Sequence, residues 1–417
     1  MDDILVIGAG PAGLLAAWIA RQRGATVRVL ATGIGTTHIS PGWLRILDAE
    51  DDLRTALDDW TAAHPGHPYA LAGLEALEAG ITALREVSAE ARITYVGDLS
   101  SNYRLPTALG AVLPAALVPE SFAAGDVRTP GAMLIAGPAG WRDFYPTLCA
   151  DNLARQGIAA QGVFFDLPQM HAASQFDLTP LGLARLFEQA DVRAAVAAQL
   201  KSRLDGATRA GFPAVLGLEH HAEAWRDLQD RLGVPVFEIP TLPPSVPGIR
   251  LYNALKAALT RAGVPILLDM AVGRGLVEGN RATGNRATGV VVPGVVREMT
   301  YRAKTIILAT GGLYGGGIAS DHRGQMREVV FDLPLHVPGG LGDWFDPTFL
   351  SMQRHAVYEA GVRANALLQP IDAEGRIVLE NVRVAGRALG CYDPLAEGST
   401  EGVWLATAYR AAASGLD

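Results

Sequence analysis

A glycine-rich turn near the N-terminus, between an apolar strand and a helix, limits the possible folds of this chain more than any other segment. Residues 4–7 predict a short buried strand, and Gly8-Ala9-Gly10-Pro11-Ala12-Gly13 follows it directly. In this GxGxxG pattern the first glycine permits a tight turn, the second lets a diphosphate approach the backbone, and the third lets the helix pack on the strand. The helix N-terminus adds free N–H groups and a positive dipole end. The pattern therefore predicts a dinucleotide site that includes Gly8, Gly10, Pro11, Ala12 and Gly13.

Composition and charge exclude several other classes of protein. The chain has 417 residues, 49% of them hydrophobic, which suffices for two packed domains. Its net charge of −8 argues against nucleic acid as a partner. Cys149 and Cys391 have neither metal-ligand spacing nor a CxxC arrangement, so we expect no metal site. No apolar run could span a bilayer and no basic segment precedes the first strand, so we expect a cytoplasmic protein without a membrane span.

Three later segments complete the predicted fold. Residues 25–30 alternate like the second strand of a βαβ unit, residues 304–308 run into Ala309-Thr310-Gly311-Gly312, and a strand ending at Gly386 precedes a closing helix at 402–414. We therefore predict an α/β protein, with a Rossmann-like FAD/NAD(P)-binding domain around a central parallel sheet and an inserted α+β cap or substrate domain. The binding domain is assigned to 1–45, 249–312 and 375–417, and the insertion to 46–248 and 313–374. A tandem Asn-Arg-Ala-Thr-Gly repeat at 280–289 is predicted to form a hairpin tip and is assigned no function.

This order of segments resembles the flavoproteins with two dinucleotide-binding domains, the class that includes fumarate reductase flavoprotein subunits. The sequence TLPPSVPGIRL at 241–251 and HISPGWL at 38–44 look like signatures of the family of anaerobic glycerol-3-phosphate dehydrogenase B subunits, and the resemblance covers nearly the whole chain. It implies a flavin-bearing subunit that pairs with a homologous flavoprotein subunit and with a membrane-docked iron–sulfur subunit. Together they would oxidise sn-glycerol 3-phosphate to dihydroxyacetone phosphate and pass electrons to quinone. The chain would then lie peripherally at the inner face of the cell membrane, and the larger partner usually has the main dehydrogenase role.

The expected cofactor is a flavin, and its identity stays open between FAD and FMN. The second strand of a standard fingerprint ends in an acid that binds the adenosine ribose, whereas Leu30 is followed here by Ala31-Thr32-Gly33. This departure and the family resemblance favour FMN, but the intact glycine turn slightly favours FAD. Besides the glycine turn, the predicted cofactor-binding residues are Thr32, His38, Ser40, Gly42, Thr310, Gly311, Gly312, Gly386, Asp393, Gly402 and Val403.

Candidate catalytic residues are chosen by chemistry. Arg250, Arg323 and Arg327 could grip a phosphate or carboxylate, because a guanidinium presents a planar fork of donors. His322 could accept a proton from a substrate hydroxyl. Surface ion pairs and a polar loop histidine are the alternatives for these four residues. Glu401, in the turn before the closing helix, would raise the electrostatic cost of a reduced flavin unless it faces solvent.

Three functions remain open from the sequence. The first is a subunit that acts in glycerol 3-phosphate oxidation. The second is a stand-alone flavin oxidoreductase of the fumarate reductase type, and the third is a non-catalytic assembly subunit that keeps the fold. The missing acid after Leu30 and the altered turn at 398–402 favour the third.

Overall fold

Both helices and strands occur along the whole length of the chain in a computed structural model, which describes residues 1–50, 52–167, 179–280, 284–294, 296–348 and 354–416. The helices are α1 (Pro11–Gln22), α2 (Leu53–Ala63), α3 (Pro68–Ala72), α4 (Leu74–Ala89), α5 (Glu120–Ala123), α6 (Pro146–Arg155), α7 (Pro180–Phe187), α8 (Ala190–Lys201), α9 (His221–Leu232), α10 (Val246–Arg261), α11 (Gly312–Gly315), α12 (Pro394–Glu397) and α13 (Thr400–Ser414). The strands are β1 (Asp2–Ile7), β2 (Val27–Leu30), β3 (Tyr95–Gly97), β4 (Tyr103–Pro106), β5 (Val112–Ala115), β6 (Leu117–Pro119), β7 (Met133–Pro138), β8 (Ala160–Phe165), β9 (Arg209–Pro213), β10 (Val236–Ile239), β11 (Ile266–Leu267), β12 (Arg274–Asn280), β13 (Gly284–Val292), β14 (Met299–Tyr301), β15 (Ala303–Leu308), β16 (Ile318–Ser320), β17 (Met326–Glu328), β18 (Leu335–His336), β19 (Gly361–Val362) and β20 (Val382–Val384).

The central sheet is parallel throughout and has the strand order β11-β2-β1-β15-β20. Ile4, Leu5 and Val6 of β1 are fully buried. Such an apolar run is typical of a parallel strand covered on both faces. The predicted α/β class with a central parallel sheet is confirmed.

Helix α1 begins where the glycine turn ends. Gly10 is its N-cap residue in an extended conformation, and Pro11 occupies the first helical position, where its fixed φ suits a helix start. The helix packs against α10 and the closing helix α13, and α13 in turn packs on α4. Helices α4 and α13 touch closely, since a Cβ added to Gly80 would overlap the carbonyl oxygen of Leu405.

A second parallel sheet, with the order β10-β9-β7-β8, has its own hydrophobic core. All of its strands lie in the predicted insertion at 46–248, whereas the strands of the central sheet come from 1–45, 249–312 and 375–417. Helices α3 and α4, also from 46–248, pack into the core of the central sheet. The cores therefore do not follow chain ranges alone, and the domain boundaries stay a prediction.

The tandem repeat spans two paired strands. Strands β12 and β13 are antiparallel neighbours that pair from Arg274 opposite Val291 to Asn280 opposite Gly284, with a shift of register between Leu276 and Val277. Residues 281–283 of the repeat lie outside the described part of the chain. The described portion of the repeat thus belongs to a hairpin.

Two absences hold for the described ranges. No helix in them has the length and apolar character that a bilayer crossing requires. No group of three His, Cys, Asp or Glu side chains in them could hold a metal ion.

Candidate functional site

A cleft of about 830 Å³ lies along the carboxyl edge of the central sheet. The segments that follow β1, β2, β15 and β20 all contribute to its wall, with Gly8, Ala31, Ala309 and Ala385 among the lining residues. Ligands of open α/β sheets bind outside this edge, because the connections there diverge and leave a crevice.

The three glycines of the fingerprint have separate structural roles. Gly8 has a φ of 116°, and a Cβ there would overlap the carbonyl oxygen of Ala309. A Cβ on Gly13 would overlap the carbonyl oxygen of Gly8. A Cβ on Gly10, in contrast, would meet no atom within 4 Å. Gly8 and Gly13 therefore shape the turn, and Gly10 keeps open the space that a ligand would fill.

Eight of the predicted cofactor-binding residues line this cleft. They are Gly8, Gly10, Pro11, Ala12, Thr32, Ser40, Thr310 and Gly311. Thr32 follows the end of β2, and Thr310 and Gly311 follow the end of β15. These residues come together because parallel strands end at the same edge of the sheet.

The other eight predicted cofactor-binding residues support the wall from behind. Gly13, Gly42, Gly312, Gly386 and Gly402 each permit a close approach, against Gly8, Pro247, Arg387, Ala12 and Tyr69 respectively. Asp393 caps α12 by accepting hydrogen bonds from the backbone of Leu395 and Ala396. Val403 is fully buried, and the His38 ring bonds the carbonyl oxygen of Gly35 at 2.8 Å. None of these eight residues is among the lining residues of the cleft, and their contacts instead shape its wall.

Four polar atoms in the cleft wall are buried and, within the described ranges, have no hydrogen-bond partner. They are Thr37 Oγ1, Arg45 Nε, Thr310 Oγ1 and Arg387 Nη1. An unpaired buried polar group costs about 1–3 kcal/mol, more when it is charged. These atoms and the open space at Gly10 fit a polar, anionic ligand such as a flavin nucleotide.

The lining residues come from both sides of β1, which is flanked by β2 on one side and by β15 and β20 on the other. The glycine turn would hold the diphosphate, because it lies at the N-terminus of α1. On one side the wall continues to Thr32 and to residues 270–272, where adenosine binds in this fold. On the other side it includes Tyr392, whose ring lies beside Arg387 after β20. Trp43 and Glu401 also line the cleft, and Glu401 accepts a hydrogen bond from the backbone of Arg45, two residues after Trp43. The isoalloxazine would occupy this second side, here called the ring end, and FMN would leave the adenosine side unfilled.

Two arginines supply the positive charge of the cleft wall in the described ranges. Arg387 lies between two aromatic rings, with its Cζ 5.2 Å from the centroid of Tyr392 and 6.0 Å from that of Tyr314. Arg45 lies beside the turn that precedes α13, where a Cβ on Gly398 would meet its Nη2 at 2.6 Å. Both guanidinium groups are suited to phosphate or to a charged ring system.

Glu401 faces the cleft and is only 7% exposed. The backbone N–H of Arg45 donates to Glu401 Oε2 at 3.3 Å. Burial raises the pKa of Glu401 to about 7, although the Arg45 cation opposes the increase. This carboxyl group therefore does not face solvent, which was the condition that would have made it harmless to a reduced flavin.

The structure gives Arg250 a structural partner instead of a place in the cleft. Its Nη1 and Nη2 donate to Glu238 at 2.8 and 3.0 Å, and its Nε donates to the carbonyl oxygen of Gly217 at 2.8 Å. Both side chains of the pair are buried. With its donors directed to these partners, Arg250 is not positioned to grip a ligand in the cleft.

His322, Arg323 and Arg327 are exposed and do not line the cleft. They belong to the hairpin of β16 and β17, in which Ala319 pairs with Arg327. The hairpin is flanked by Gly317 and Val329, which do line the cleft. These three side chains therefore lie on a projection from the cleft rim.

Sequence reasoning missed Arg45, Arg387 and Thr37 as site residues. One available signal was position, because Arg387 follows Gly386 at the end of β20, and Arg45 follows the segment at 38–44. No local pattern distinguished these arginines from the surface arginines of the chain.

Comparisons with known proteins agree with this geometry. A family profile described as an FAD binding domain matches residues 3–403. A Halobacterium salinarum protein, named as a probable B subunit of anaerobic glycerol-3-phosphate dehydrogenase, is 32% identical over 423 residues, which cover 98% of this chain and 96% of that protein. The B subunit of anaerobic glycerol-3-phosphate dehydrogenase from Pectobacterium atrosepticum is 28% identical, and the match covers 98% of this chain and 97% of that protein.

Among solved structures, the open conformation of a flavocytochrome c3 fumarate reductase has a TM-score of 0.47 and 12% identity, covering 100% of this chain and 79% of that chain. The FAD profile and the two-sided cleft confirm the preference for FAD as the flavin. The chain belongs to the FAD binding domain family of flavin-dependent oxidoreductases and, within it, to the family of anaerobic glycerol-3-phosphate dehydrogenase B subunits.

Proposed function

We propose that this chain is the FAD-carrying B subunit of a respiratory glycerol-3-phosphate dehydrogenase. The complex would oxidise sn-glycerol 3-phosphate to dihydroxyacetone phosphate and pass the electrons to quinone through a homologous flavoprotein subunit and an iron–sulfur subunit. The observation that carries the proposal is near-complete coverage by relatives with this name, together with a cleft whose unpaired polar atoms fit a flavin nucleotide.

The groups of the cleft would divide the work by position. The backbone N–H groups that follow Gly10 would bind the diphosphate, and Arg45 and Arg387 would bind the anionic parts of the cofactor and of a phosphorylated polyol. The flavin supplies hydride acceptance when it is bound. Trp43 and Leu113 would exclude water from the ring end, which strengthens the electrostatic interactions there.

The exposed hairpin suggests how the chain would use its partners. His322, Arg323 and Arg327 project from the cleft rim, so they would contact a partner subunit or a substrate presented there, rather than the cofactor. The complex would lie in the cytoplasm at the inner face of the membrane, and it would be active only when assembled.

A non-catalytic role in assembly or electron transfer is the second candidate. It is favoured by Arg250, which is held by Glu238, and by the exposure of the other predicted catalytic residues. In this case the homologous partner would oxidise the substrate, and this chain would only accept electrons.

The experiment is anaerobic reduction of the purified FAD-loaded chain by sn-glycerol 3-phosphate, with and without the partner subunits. We expect bleaching of the flavin absorption only with the partners present, and no bleaching by the enantiomer sn-glycerol 1-phosphate. Bleaching without partners would point to a stand-alone oxidoreductase.

Variants separate the catalytic role from the assembly role. In the complex, Gly10→Trp should abolish electron transfer to quinone if this chain carries the electrons. If the Gly10→Trp chain binds no FAD and the complex that contains it still turns over at the wild-type rate, the proposal is contradicted. That result would favour a non-catalytic assembly role for this chain.

A further inference from the structure

Among the described residues, one acidic side chain reaches the flavin cleft. In the described ranges, Glu401 is the only Asp, Glu or His that lines this cavity. It lies in the first turn of α13 and is 93% buried, since its exposure is 7%. A carboxyl group in this place would influence any charge that develops on a bound ring.

The position of Glu401 follows from the two sides of the cleft. The adenosine side is fixed by the end of β2, and the diphosphate by the N-terminus of α1. The other side is that of β15 and β20, and Tyr392 belongs to it, because Arg387, which follows β20, has its Cζ 5.2 Å from the Tyr392 ring. Glu401 lines the same cleft and is close enough to Tyr392 to raise the pKa of its hydroxyl. The redox-active ring of FAD is therefore the part of the cofactor that would approach this carboxyl group.

The charged and titratable groups around Glu401 come from several elements. Arg45 is the near cation, and its backbone N–H donates to the carboxylate. The Tyr69 hydroxyl of α3 donates to the carbonyl oxygen of Ile46 at 2.5 Å, and the Tyr95 hydroxyl of β3 donates to that of Gly42 at 2.7 Å. Burial raises the pKa of both tyrosines, and of Tyr392, so these neighbours stay protonated at neutral pH.

A second carboxylate close by is already committed. Glu397 of α12 lies 3.1 Å from His67 Nε2 and accepts a hydrogen bond from Ser399 Oγ at 2.9 Å. These contacts outweigh its burial and lower the pKa of Glu397. Glu397 therefore keeps its charge at neutral pH, which leaves Glu401 as the acidic group of this cluster that is free to change charge.

We propose that Glu401 takes up one proton from solvent when the FAD bound in the cleft is reduced, and releases it when the FAD is reoxidised. Two electrons and one proton that enter the ring leave it with one additional negative charge. That charge disfavours a neighbouring carboxylate, so –COO⁻ binds a proton and becomes –COOH. In total, the flavin takes up two electrons and one proton, and Glu401 takes up a second proton. The electrons come from any reductant that can deliver them to the flavin.

The chemistry of the site supports the exchange of this proton. The raised pKa of Glu401 keeps both of its protonation states accessible near neutral pH. Arg45 would stabilise the carboxylate before reduction and the ring charge after it, because its guanidinium lies beside Gly398 in the turn that precedes α13. The N-terminus of α13 favours negative charge in both states.

The first test is infrared difference spectroscopy of the FAD-loaded chain, reduced with dithionite in the absence of substrate and partners. We expect a protonated-carboxyl C=O band that appears on reduction, shifts in D₂O and is absent from Glu401→Gln. Glu75→Gln, which changes an exposed carboxylate on the neighbouring helix α4, should retain the band. A wild-type spectrum without this band overturns the proposal whether or not the variant folds.

The second test counts protons from the pH dependence of the flavin midpoint potential. At about pH 8, where Glu401 is mostly ionised before reduction, wild type should take up about one proton more per two electrons than Glu401→Gln. Equal proton counts would overturn the proposal. Because no substrate or partner is present, neither result depends on glycerol 3-phosphate being the natural reductant.

Discussion

At the scale of single residues, the glycine turn separates the requirements of the fold from those of the ligand. Gly8 and Gly13 have no room for a Cβ, because carbonyl oxygens occupy the space. Gly10 has that room, and its φ of −73° and ψ of 176° are allowed for any residue. A side chain at position 10 would therefore extend into the cleft without disturbing the chain.

Gly10→Trp should fold normally and lose its FAD. We expect a thermal midpoint within about 2 °C of wild-type apoprotein, and FAD affinity weaker by about a hundredfold or more, because the indole would displace the diphosphate from the helix N-terminus. Fluorescence titration of FAD measures the affinity. Gly342→Trp, at an exposed glycine with open space around it, is the control. Unchanged affinity in Gly10→Trp would show that the diphosphate binds elsewhere.

Arg387→Leu should weaken FAD binding by about tenfold to a hundredfold. A hydrogen bond to a charged group contributes about 1.5–3 kcal/mol, and Arg387 Nη1 is buried without a partner in the described ranges. The loss should be smaller at high salt, since wild-type binding itself weakens there. Arg323→Leu removes an exposed arginine outside the cleft and should leave the titration unchanged. Equal FAD affinities for wild type and Arg387→Leu would show that Arg387 makes no such hydrogen bond to FAD.

At the scale of secondary-structure elements, a buried polar network joins the second sheet to the helix that packs on α1. Glu238 of β10 accepts hydrogen bonds from Arg250 of α10 and, at 3.0 Å, from Ser121 Oγ of α5. In His221 of α9, Nε2 lies 3.1 Å from Ser121 Oγ, and Nδ1 lies 2.9 Å from the carbonyl oxygen of Leu216. The network therefore makes the arrangement of these elements sensitive to protonation.

Acid should destabilise the protein through His221. Burial, together with the Arg250 cation, lowers the pKa of His221 to about 4, whereas an unfolded histidine titrates near 6.5. As the pH falls, the unfolded chain binds the proton first. The contribution of His221 to the free energy of unfolding is therefore present above about pH 6.5, and it has decreased by about 2 kcal/mol at pH 5. Urea unfolding at the two pH values measures this difference.

The variants for that experiment are neighbours in sequence. His221→Gln should flatten the decrease between pH 7 and pH 5, and His220→Gln, at an exposed site, should retain it. Glu238 contributes only at lower pH, because Arg250 and His221 outweigh its burial and lower its pKa to about 2. A wild-type stability that is equal at pH 7 and pH 5 would contradict the role of His221.

At the scale of the whole molecule, the wall of the cleft is built from segments that belong to different hydrophobic cores. The central sheet supplies the glycine turn, the hairpin of β4 and β5 supplies Leu113 with Thr107 in its turn, and the segment after β10 supplies Pro240. A ligand that contacts all of these parts should stabilise them together.

FAD should therefore raise the stability of the chain as one unit. At an FAD concentration about 100 times the Kd, binding adds about 2.7 kcal/mol to the free energy of unfolding. We expect a single calorimetric transition whose midpoint rises with FAD, and no rise for Gly10→Trp. Two transitions, of which only one moves with FAD, would show that the second sheet unfolds independently of the cleft.

The sequence determined the features that depend on neighbours along the chain. An apolar strand, a GxGxxG turn and a helix follow one another within residues 2–22, so the parallel sheet and the cleft at the glycine turn could be predicted, together with eight residues that line the cleft. Thr32, Thr310 and Gly311 belong to this set because they directly follow strands, and all parallel strands end at one edge.

The charged groups that reach the cleft could not be identified from the sequence, because long-range packing selects them. Arg45 and Glu401 are 356 positions apart and meet through a backbone hydrogen bond that no local pattern encodes. Arg250 has the chemistry of an anion grip, yet the fold directs it to Glu238, because a buried carboxylate needs a charged partner. Sequence specifies which donors and acceptors exist, but their pairing depends on burial and on long-range packing, which the whole fold sets.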